Sequence, residues 1–325
     1  VEYLLAQGVP ASQIELWHQD VDGREGSTLM DWPVTRAYCR AYAKARGLTI
    51  LFQWKMGGFE REMLRDNAPT APTCFEVPMH GDVEVCVAGG TRGKPGTRLK
   101  FPQVAADLAK RWCSAYLKID VASVALRNDG RFENSRTLFV SGERAEESAN
   151  RARYPMTEPH RATTAKDCLG EPALASNADW WQPMRTSRVV DHFRPVHGWT
   201  ETQVWEFLRS RGVRPHPAYY LGFGRTSCLK CIFGLADQWA TVAEIDPAGL
   251  EQIAQYEDRF GLTINRGRKS VRDIAAKGTS YITQEMRDAG YVELAMGSEY
   301  REEILVDPDR WEMPAGAFRS CGGPV

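Results

Sequence analysis

The sequence of 325 residues has no long apolar run and no excess of charge of one sign. Lys and Arg number 41 against 42 Asp and Glu, which gives a net charge of −1. This balance does not indicate a broadly basic surface that would bind nucleic acid, although it does not exclude a local basic patch. No apolar stretch approaches the roughly 18 residues of a transmembrane helix, so we expect no membrane association.

Histidines are few, and no second Cys-x-x-C motif accompanies the one present. Because the chain is long and shows no export signal, we expect reduced thiols and a cytoplasmic location. The first residues, VEYLLAQG, look like the end of an amphipathic helix, so we expect further residues to precede Val1. The cysteines are Cys39, Cys74, Cys86, Cys113, Cys168, Cys228, Cys231 and Cys321.

Helical and strand-like patterns alternate along the first two thirds of the chain. We predict strands at 14–23, 49–54, 136–142 and 187–196, helices at 34–47, 101–118, 143–155 and 199–212, and irregular excursions at 56–100 and 156–186. The alternation predicts an α/β fold with a Rossmann-like parallel sheet and flanking helices. A core over 1–234 would then be followed by a helical C-terminal extension over 235–325.

The stretch FVSGERAEESANRA follows a predicted strand, where ligands bind in open α/β sheets. Gly142 would let a backbone approach closely, and the next helix would offer its first N–H groups to an anion. Arg144 and Arg151 carry planar donors suited to phosphate or sulfate. A charged helix face with internal salt bridges is an equally good reading, because three glutamates lie nearby.

Two further segments carry charges at the ends of predicted elements. In KRWCSAYLK, Lys118 is a candidate phosphate partner, although basic residues also simply favour helix C-termini. In DVDG, Asp20 and Asp22 could hold Mg²⁺ or ribose hydroxyls. A plain Asp-Gly turn is the commoner explanation of DVDG.

The motif CLKC places Cys228 and Cys231 two residues apart. This spacing occurs in zinc sites, iron–sulfur sites and thiol redox pairs. Zinc would need a further Cys or His pair nearby, and a redox pair should open a helix after a strand. An iron–sulfur cluster needs other thiolates, for which Cys113 is available, and a pair of merely buried thiols stays open.

Taken in order, these segments resemble the phosphoadenosine phosphosulfate reductase family of the PP-loop group. The resemblance covers roughly residues 1–234. It rests on a nucleotide-facing strand, an Arg/Cys/Lys helix, a G-x-R-x-x-x-S-x-x-R turn, a Trp-Thr helix, a P-x-Y-x-x-G loop and the final Cys-x-x-C, here IELWHQDVDG, RWCSAYLK, GERAEESANR, WTETQVWEFL, HPAYYLGFG and CLKC.

The resemblance implies roles for individual residues. Catalytic charges would come from Lys118, Arg144 and Arg151, and ATP with Mg²⁺ would bind at Asp20, Asp22, Gly142, Arg144, Ser148 and Arg151. A [4Fe–4S] cluster would use Cys113, Cys228 and Cys231, with Cys168 as a candidate fourth ligand. The family's phosphate-gripping loop is missing, and we expect it before Val1.

Two branches of the family compete. Sulfonucleotide reductases end with a catalytic cysteine in E-C-G-[LI]-H. Cys321-Gly322 matches only the Cys-Gly part of this motif, without the Glu and the His. The long excursions and CLKCIFG look more like the sulfur-transfer ATP pyrophosphatases of DNA phosphorothioation systems linked to phage defence. That branch implies a cysteine desulfurase partner and DNA contact through a complex, and it leaves a homo-oligomer open. A third alternative is a module that binds nucleotide or a partner without turnover.

Overall fold

The computed structural model describes residues 1–79, 81–90, 93–164 and 188–319. No helix in these ranges is long and apolar enough to cross a membrane. The strands are β1 Glu15–Asp20, β2 Thr49–Lys55, β3 Thr73–Met79, β4 Asp82–Ala88, β5 Arg136–Val140, β6 Thr157–Pro159 and β7 Val189–Phe193. The helices are α1 Glu2–Ala6, α2 Thr35–Arg46, α3 Gly58–Met63, α4 Trp112–Ser114, α5 Asp120–Asn128, α6 Glu201–Ser210, α7 Ala236–Ile245, α8 Pro247–Phe260, α9 Val271–Ala275, α10 Gln284–Asp288 and α11 Tyr291–Met296.

The strands form two mixed sheets. In the first, with the order β1-β2-β3-β4, β1 and β2 are parallel and the remaining pairs are antiparallel. In the second, β7 pairs in parallel with β5 and antiparallel with β6. The α/β prediction with parallel pairing, flanking helices and a helical C-terminal part is therefore confirmed. Among the described residues each sheet has one parallel pair, because the β3–β4 hairpin extends the first sheet and β6 extends the second in antiparallel orientation.

The prediction of an irregular segment over 56–100 was wrong, since α3, β3 and β4 lie inside it. The β4 strand DVEVCVA leaves Val83, Val85 and Val87 exposed. Its alternation of valines with polar residues is a strand pattern, which the glycines and prolines around the hairpin concealed. The nearby β6 likewise falls in the second predicted excursion, most of which lies outside the described residues.

Of two further predicted helices, one is shorter than expected and the other does not form. Residues 101–111 are not helical, and the helix begins at Trp112, continues through a π-helical turn at Ala115–Ile119 and runs on into α5. The helix predicted for 143–155 is wrong, because only two single 3₁₀ turns form there, at Ala145–Glu147 and Arg151–Arg153. In both segments charged and apolar residues recur at helical spacing without a tertiary surface that stabilises a longer helix.

The helices with clear end signals were predicted correctly. The N-terminus of α6 carries the Thr200–Gln203 capping box. Gly47 ends α2 in the left-handed conformation, with φ of 63°. Gly212 follows α6 with φ of 61°, and a Cβ there would lie 2.0 Å from the carbonyl oxygen of Val306, so glycine is required.

The largest hydrophobic cluster joins the predicted core to the predicted extension. It contains Val21, Trp32 and Trp112 from the first part and Trp239 and Ile253 from the second. All five side chains are almost completely buried. The boundary at residue 234 stays a prediction, since this cluster runs across it.

A buried ion pair ties the cysteine motif to the C-terminal helices. Lys230, inside CLKC, is 2% exposed, and its Nζ pairs with a carboxylate oxygen of Asp246. Asp246 is also the N-cap of α8, where its side chain accepts the N–H of Gly249 at 3.0 Å. The backbone N–H of Lys230 points to the carbonyl oxygen of Met30 at 3.4 Å. One lysine therefore connects three separate parts of the chain.

Asp246→Ala should lower the free energy of unfolding by about 3–5 kcal/mol, because it leaves Lys230 buried without its counterion. Asp246→Asn keeps a capping oxygen and should recover only about 1 kcal/mol of this loss. Adding Lys230→Met to Asp246→Ala should restore most of the stability. Urea unfolding measures all three. Wild-type stability of Asp246→Ala would contradict the role of the pair.

Gly249→Ala should also destabilise the protein, although it lies in a helix. Alanine normally favours a helix over glycine by about 1 kcal/mol. Here a Cβ would lie 2.0 Å from Oδ2 of Asp246 and 2.3 Å from Cε of Lys230. We expect a lower melting temperature, measured by circular dichroism. An unchanged or higher value would show that the ion pair can move aside at little cost.

Candidate functional site

The three predicted cluster cysteines line one small cavity of about 50 Å³. Cys113, Cys228 and Cys231 share its wall with Lys118 and Arg225. The cavity also has an apolar side, formed by Val21, Met30, Phe59, Ile232 and Phe233. The fold thus brings together residues from four distant segments, among them the three thiols predicted as cluster ligands.

Helix geometry places Cys113 and Lys118 on the same side of the cavity. Cys113 lies in α4 and Lys118 in the π-helical turn that follows. The wider π turn brings residues five apart closer to one face than an α-helix does, and such turns are frequent at functional sites. Cys228 and Cys231 come from the loop before α7, where the N–H of Gly234 donates to the carbonyl of Cys231 at 2.8 Å.

Two thiols of the cavity, those of Cys113 and Cys228, favour their protonated form. Burial raises the pKa of Cys228 well above its usual value, with Lys118 opposing the shift and Cys231 adding to it. Burial likewise raises the pKa of Cys113, and Lys118 again acts in the opposite direction. Because Lys118 is the main charge that favours both thiolates, it is the residue that would activate them.

The described residues do not by themselves fit a metal centre. Within them, no group of three or more His, Cys, Asp and Glu side chains is arranged to hold a metal ion. Cys228 and Cys231 are free thiols in a loop, which differs from the helix-opening position expected of a redox pair. Cys168 and Cys321 lie outside the described residues, so the fourth ligand and the tail cysteine stay predictions.

Three arginines gather beside the cavity. Arg225 stands over the ring of Phe233 at 4.8 Å, and Arg111 stands over the same ring at 6.0 Å. Burial lowers the pKa of Arg151, and the positive charges of Arg225 and Arg111 lower it further. Nε of Arg111 is buried without a hydrogen-bond partner among the described residues. Such a concentration of positive charge suits a phosphate or sulfate.

The loop over 142–151 follows β5, as predicted, but it presents no helix N-terminus. Arg144 bonds a carboxylate oxygen of Glu146 at 2.7 Å and the carbonyl of Trp199 at 3.3 Å. Arg151 pairs with Glu147. The hydroxyl of Ser148 accepts the N–H of Arg151 at 3.2 Å. Both arginines thus have carboxylate partners that an incoming anion would replace.

Gly142 does not mark a close approach of backbone segments. A Cβ at this position would meet no atom within 4 Å, and its φ is not positive. The space beside it is therefore open to a ligand rather than filled by the protein. Glycine is not required here by the backbone conformation.

The two aspartates of DVDG are buried, and other residues of the protein donate hydrogen bonds to them. Asp22 accepts the N–H groups of Met30 and Asp31, each at 2.8 Å. Asp20 accepts Nε of Arg24 at 3.1 Å, and burial raises the pKa of its carboxyl group. Gly23 has φ of 71°, as a tight turn after β1 requires. The turn is observed, and a role in binding Mg²⁺ or ribose stays a prediction.

Asp31 and Arg225 are candidate functional residues that sequence reasoning missed. Burial, together with the neighbouring charge of Asp22, raises the pKa of Asp31 to about 7. Its charge also raises the pKa of Cys228, so the two groups are close enough to interact. A carboxyl group that titrates near neutrality can donate or accept a proton. No local motif marks Asp31, and only the fold shows its surroundings.

Similarity to known proteins is found over part of the chain. Residues 96–233 match the phosphoadenosine phosphosulfate reductase domain. The chain is also 25% identical, over 171 residues, to the uncharacterized 37.8 kDa protein in the gpa 5' region of Escherichia phage 186. That match covers 53% of this chain and 43% of the phage protein, so it spans less than half of the relative. No solved structure matches the chain.

The matched range contains the thiols, the lysine and the arginines of the candidate site. Through residues 96–233, which hold this candidate site, the chain is similar to the phosphoadenosine phosphosulfate reductase domain.

Proposed function

We propose that this chain is an ATP pyrophosphatase that adenylates an acceptor during sulfur transfer, with nucleic acid as the final acceptor. The domain at residues 96–233 supports an enzyme that acts on nucleotides. The observation that carries the proposal is the cavity in which three thiols meet Lys118 and Arg225. A site that combines anion-binding cations with sulfur ligands suits chemistry in which a phosphate and a sulfur atom are handled together.

The cations would act on the phosphates of ATP. Arg151, Arg225 and Lys118 would bind the triphosphate and stabilise the charge that builds up on the leaving pyrophosphate. Arg144 would support them by exchanging its glutamate partner for an oxygen of the substrate. Mg²⁺ would supply further charge neutralisation by binding phosphate oxygens. Asp31 would hold or release a proton beside the thiols near neutral pH.

The thiols would receive sulfur from a partner. We propose a cysteine desulfurase as the donor and DNA, reached within a complex, as the acceptor, with Lys118 favouring the thiolate that accepts the sulfur. Phosphorothioation is the finer part of this proposal. It is supported by the sequence CLKCIFG, which resembles that branch of the family, and by the helical extension. Asp246 of this extension pairs with Lys230 of the cysteine loop.

A second candidate is sulfonucleotide reduction. The same arginines could bind a sulfonucleotide, and Cys321 would then be the reactive thiol. The two candidates differ in products. ATP pyrophosphatase activity gives AMP and pyrophosphate, whereas a reductase releases sulfite. We expect Cys321→Ser to leave AMP formation unchanged. Sulfite release that disappears in Cys321→Ser would favour the reductase instead.

Arg151→Ala should weaken ATP binding, with KM raised about tenfold or more, because it removes a phosphate-binding charge. Arg153→Ala is a matched control, since Arg153 is an exposed arginine in the same loop. Formation of AMP and pyrophosphate at varied ATP concentrations measures both variants. Equal effects in the two variants would mean that Arg151 acts only through the net charge of the surface.

Alkylation should be slow at Cys228 and should speed up as the pH rises. Its raised pKa keeps the thiol protonated at neutral pH, and only the thiolate reacts. Lys118→Met should slow the reaction further, because the lysine favours the thiolate. Iodoacetamide labelling followed by peptide mass spectrometry measures the rates, with the more exposed Cys86 as the internal reference. Rapid labelling of Cys228 at neutral pH would contradict the assignment.

The iron–sulfur cluster remains a proposal supported only by the meeting of Cys113, Cys228 and Cys231 at one cavity. The thiols would have to move together and recruit a fourth ligand to hold it. Iron and sulfide analysis of anaerobically purified protein shows whether the protein binds a cluster. Iron that is bound by wild type and lost in Cys228→Ser would support the cluster, and iron-free protein would overturn it.

A further inference from the structure

A second, larger cleft lies beside the thiol cavity. It has a volume of about 780 Å³, which is within the range of ligand-binding pockets. One wall is the extended segment before α4, with Lys110 at its end, and the other is the loop between α8 and α9, with Arg266 and Arg268. No acidic side chain lines the cleft among the described residues.

The loop that carries the two arginines is firmly built. Gly261 ends α8 with φ of 61°. The carboxylate of Glu257, which is 4% exposed, accepts the N–H of Ile264 at 3.0 Å and that of Val271 at 2.9 Å. Between these anchors, Arg268 adopts the left-handed conformation and donates its N–H to the carbonyl of Asn265. The turn therefore holds both arginines in an exposed position.

The two walls share a common base. Phe101, at the start of one wall, packs edge-on against Phe260, at the end of α8, with 5.8 Å between ring centres. Phe101 is 3% exposed. The lining of the cleft includes apolar side chains, among them Leu262, which is 52% exposed. Three cations in the lining suit phosphate groups, and the aliphatic side chains beside them offer apolar contact to the rest of such a ligand without aromatic stacking.

The cleft and the thiol cavity are lined by neighbouring residues of one segment. Lys110 lines the cleft and Cys113, three residues further along the same segment, lines the thiol cavity. Arg111, between them, stands over Phe233 of that cavity. An extended ligand that lies in the cleft would therefore lead towards the thiols. These positive charges form a local group within a chain whose net charge is −1.

We propose that this cleft binds single-stranded nucleic acid, with Lys110, Arg266 and Arg268 contacting phosphates of the backbone. The need for a strand at this place rests on the proposed function, but binding itself requires no turnover. A site of this size between two protein walls takes a short stretch of one strand more readily than a duplex. With three phosphates neutralised, log K should fall with log salt at a slope of about −2.

Fluorescence anisotropy with a labelled single-stranded oligonucleotide tests the proposal. The double variant Arg266→Ala/Arg268→Ala should weaken binding at least about tenfold and reduce the salt slope by about 1.4. Arg266→Lys/Arg268→Lys should keep the slope, because the charges remain. Arg209→Ala/Lys277→Ala removes the same charge at exposed positions outside the cleft and should change neither quantity. Melting temperatures confirm that each variant is folded.

Three results would overturn the assignment. Equal loss of affinity in the control variant would mean that only net charge matters. Duplex DNA that binds as tightly as the single strand would exclude a one-strand cleft. Complete competition by ATP would place the oligonucleotide at the nucleotide site instead. Binding without AMP formation would support the cleft while contradicting the pyrophosphatase, so failures of the two proposals can be told apart.

Discussion

The buried pair of Lys230 and Asp246 connects the parts of the molecule on which the candidate site depends. A lysine removed from water is costly unless an anion satisfies it, so the chain must bring α8 to the cysteine loop. Since Lys230 stands between Cys228 and Cys231, this requirement also fixes where the two thiols lie. The same lysine favours the ionised form of Asp22, which holds the turn after β1. The turn after β1 and the C-terminal helices therefore meet at one side chain.

Around this anchor, positive charge is concentrated near thiols that burial keeps protonated. Lys118 is the main charge acting against burial at both Cys113 and Cys228. Arg111 and Arg225 disfavour the charged form of Arg151, which shows that the cations repel one another in the absence of an anion. A bound phosphate would relieve this repulsion. The site is therefore electrostatically arranged for an anionic substrate, and its thiol reactivity would change when that substrate binds.

Local signals in the sequence were sufficient for the fold class and for several helix ends. The capping box at Thr200 and the glycine after α2 act within one turn of the chain, so they can be read without the fold. The segments over 101–111 and 143–155 have helical spacing but remain non-helical, because propensity decides little without a surface to pack against. The β3–β4 hairpin was missed although β4 has a strand pattern, because glycines and prolines surround it and because β3 is also stabilised by non-local pairing with β2.

The candidate site was predictable only where a motif carries the chemistry. The spacing of the CLKC pair marked Cys228 and Cys231, the family resemblance marked Cys113 and Lys118, and the fold brings the four residues to one cavity. The raised pKa of Asp31, by contrast, results from burial and from the neighbouring charge of Asp22, and both arise only when the chain has folded. The cleft with Lys110 and Arg266 is equally non-local, because each wall alone reads as a solvated basic turn. Residues whose chemistry comes from their neighbours, rather than from their own motif, require the three-dimensional structure before they can be recognised.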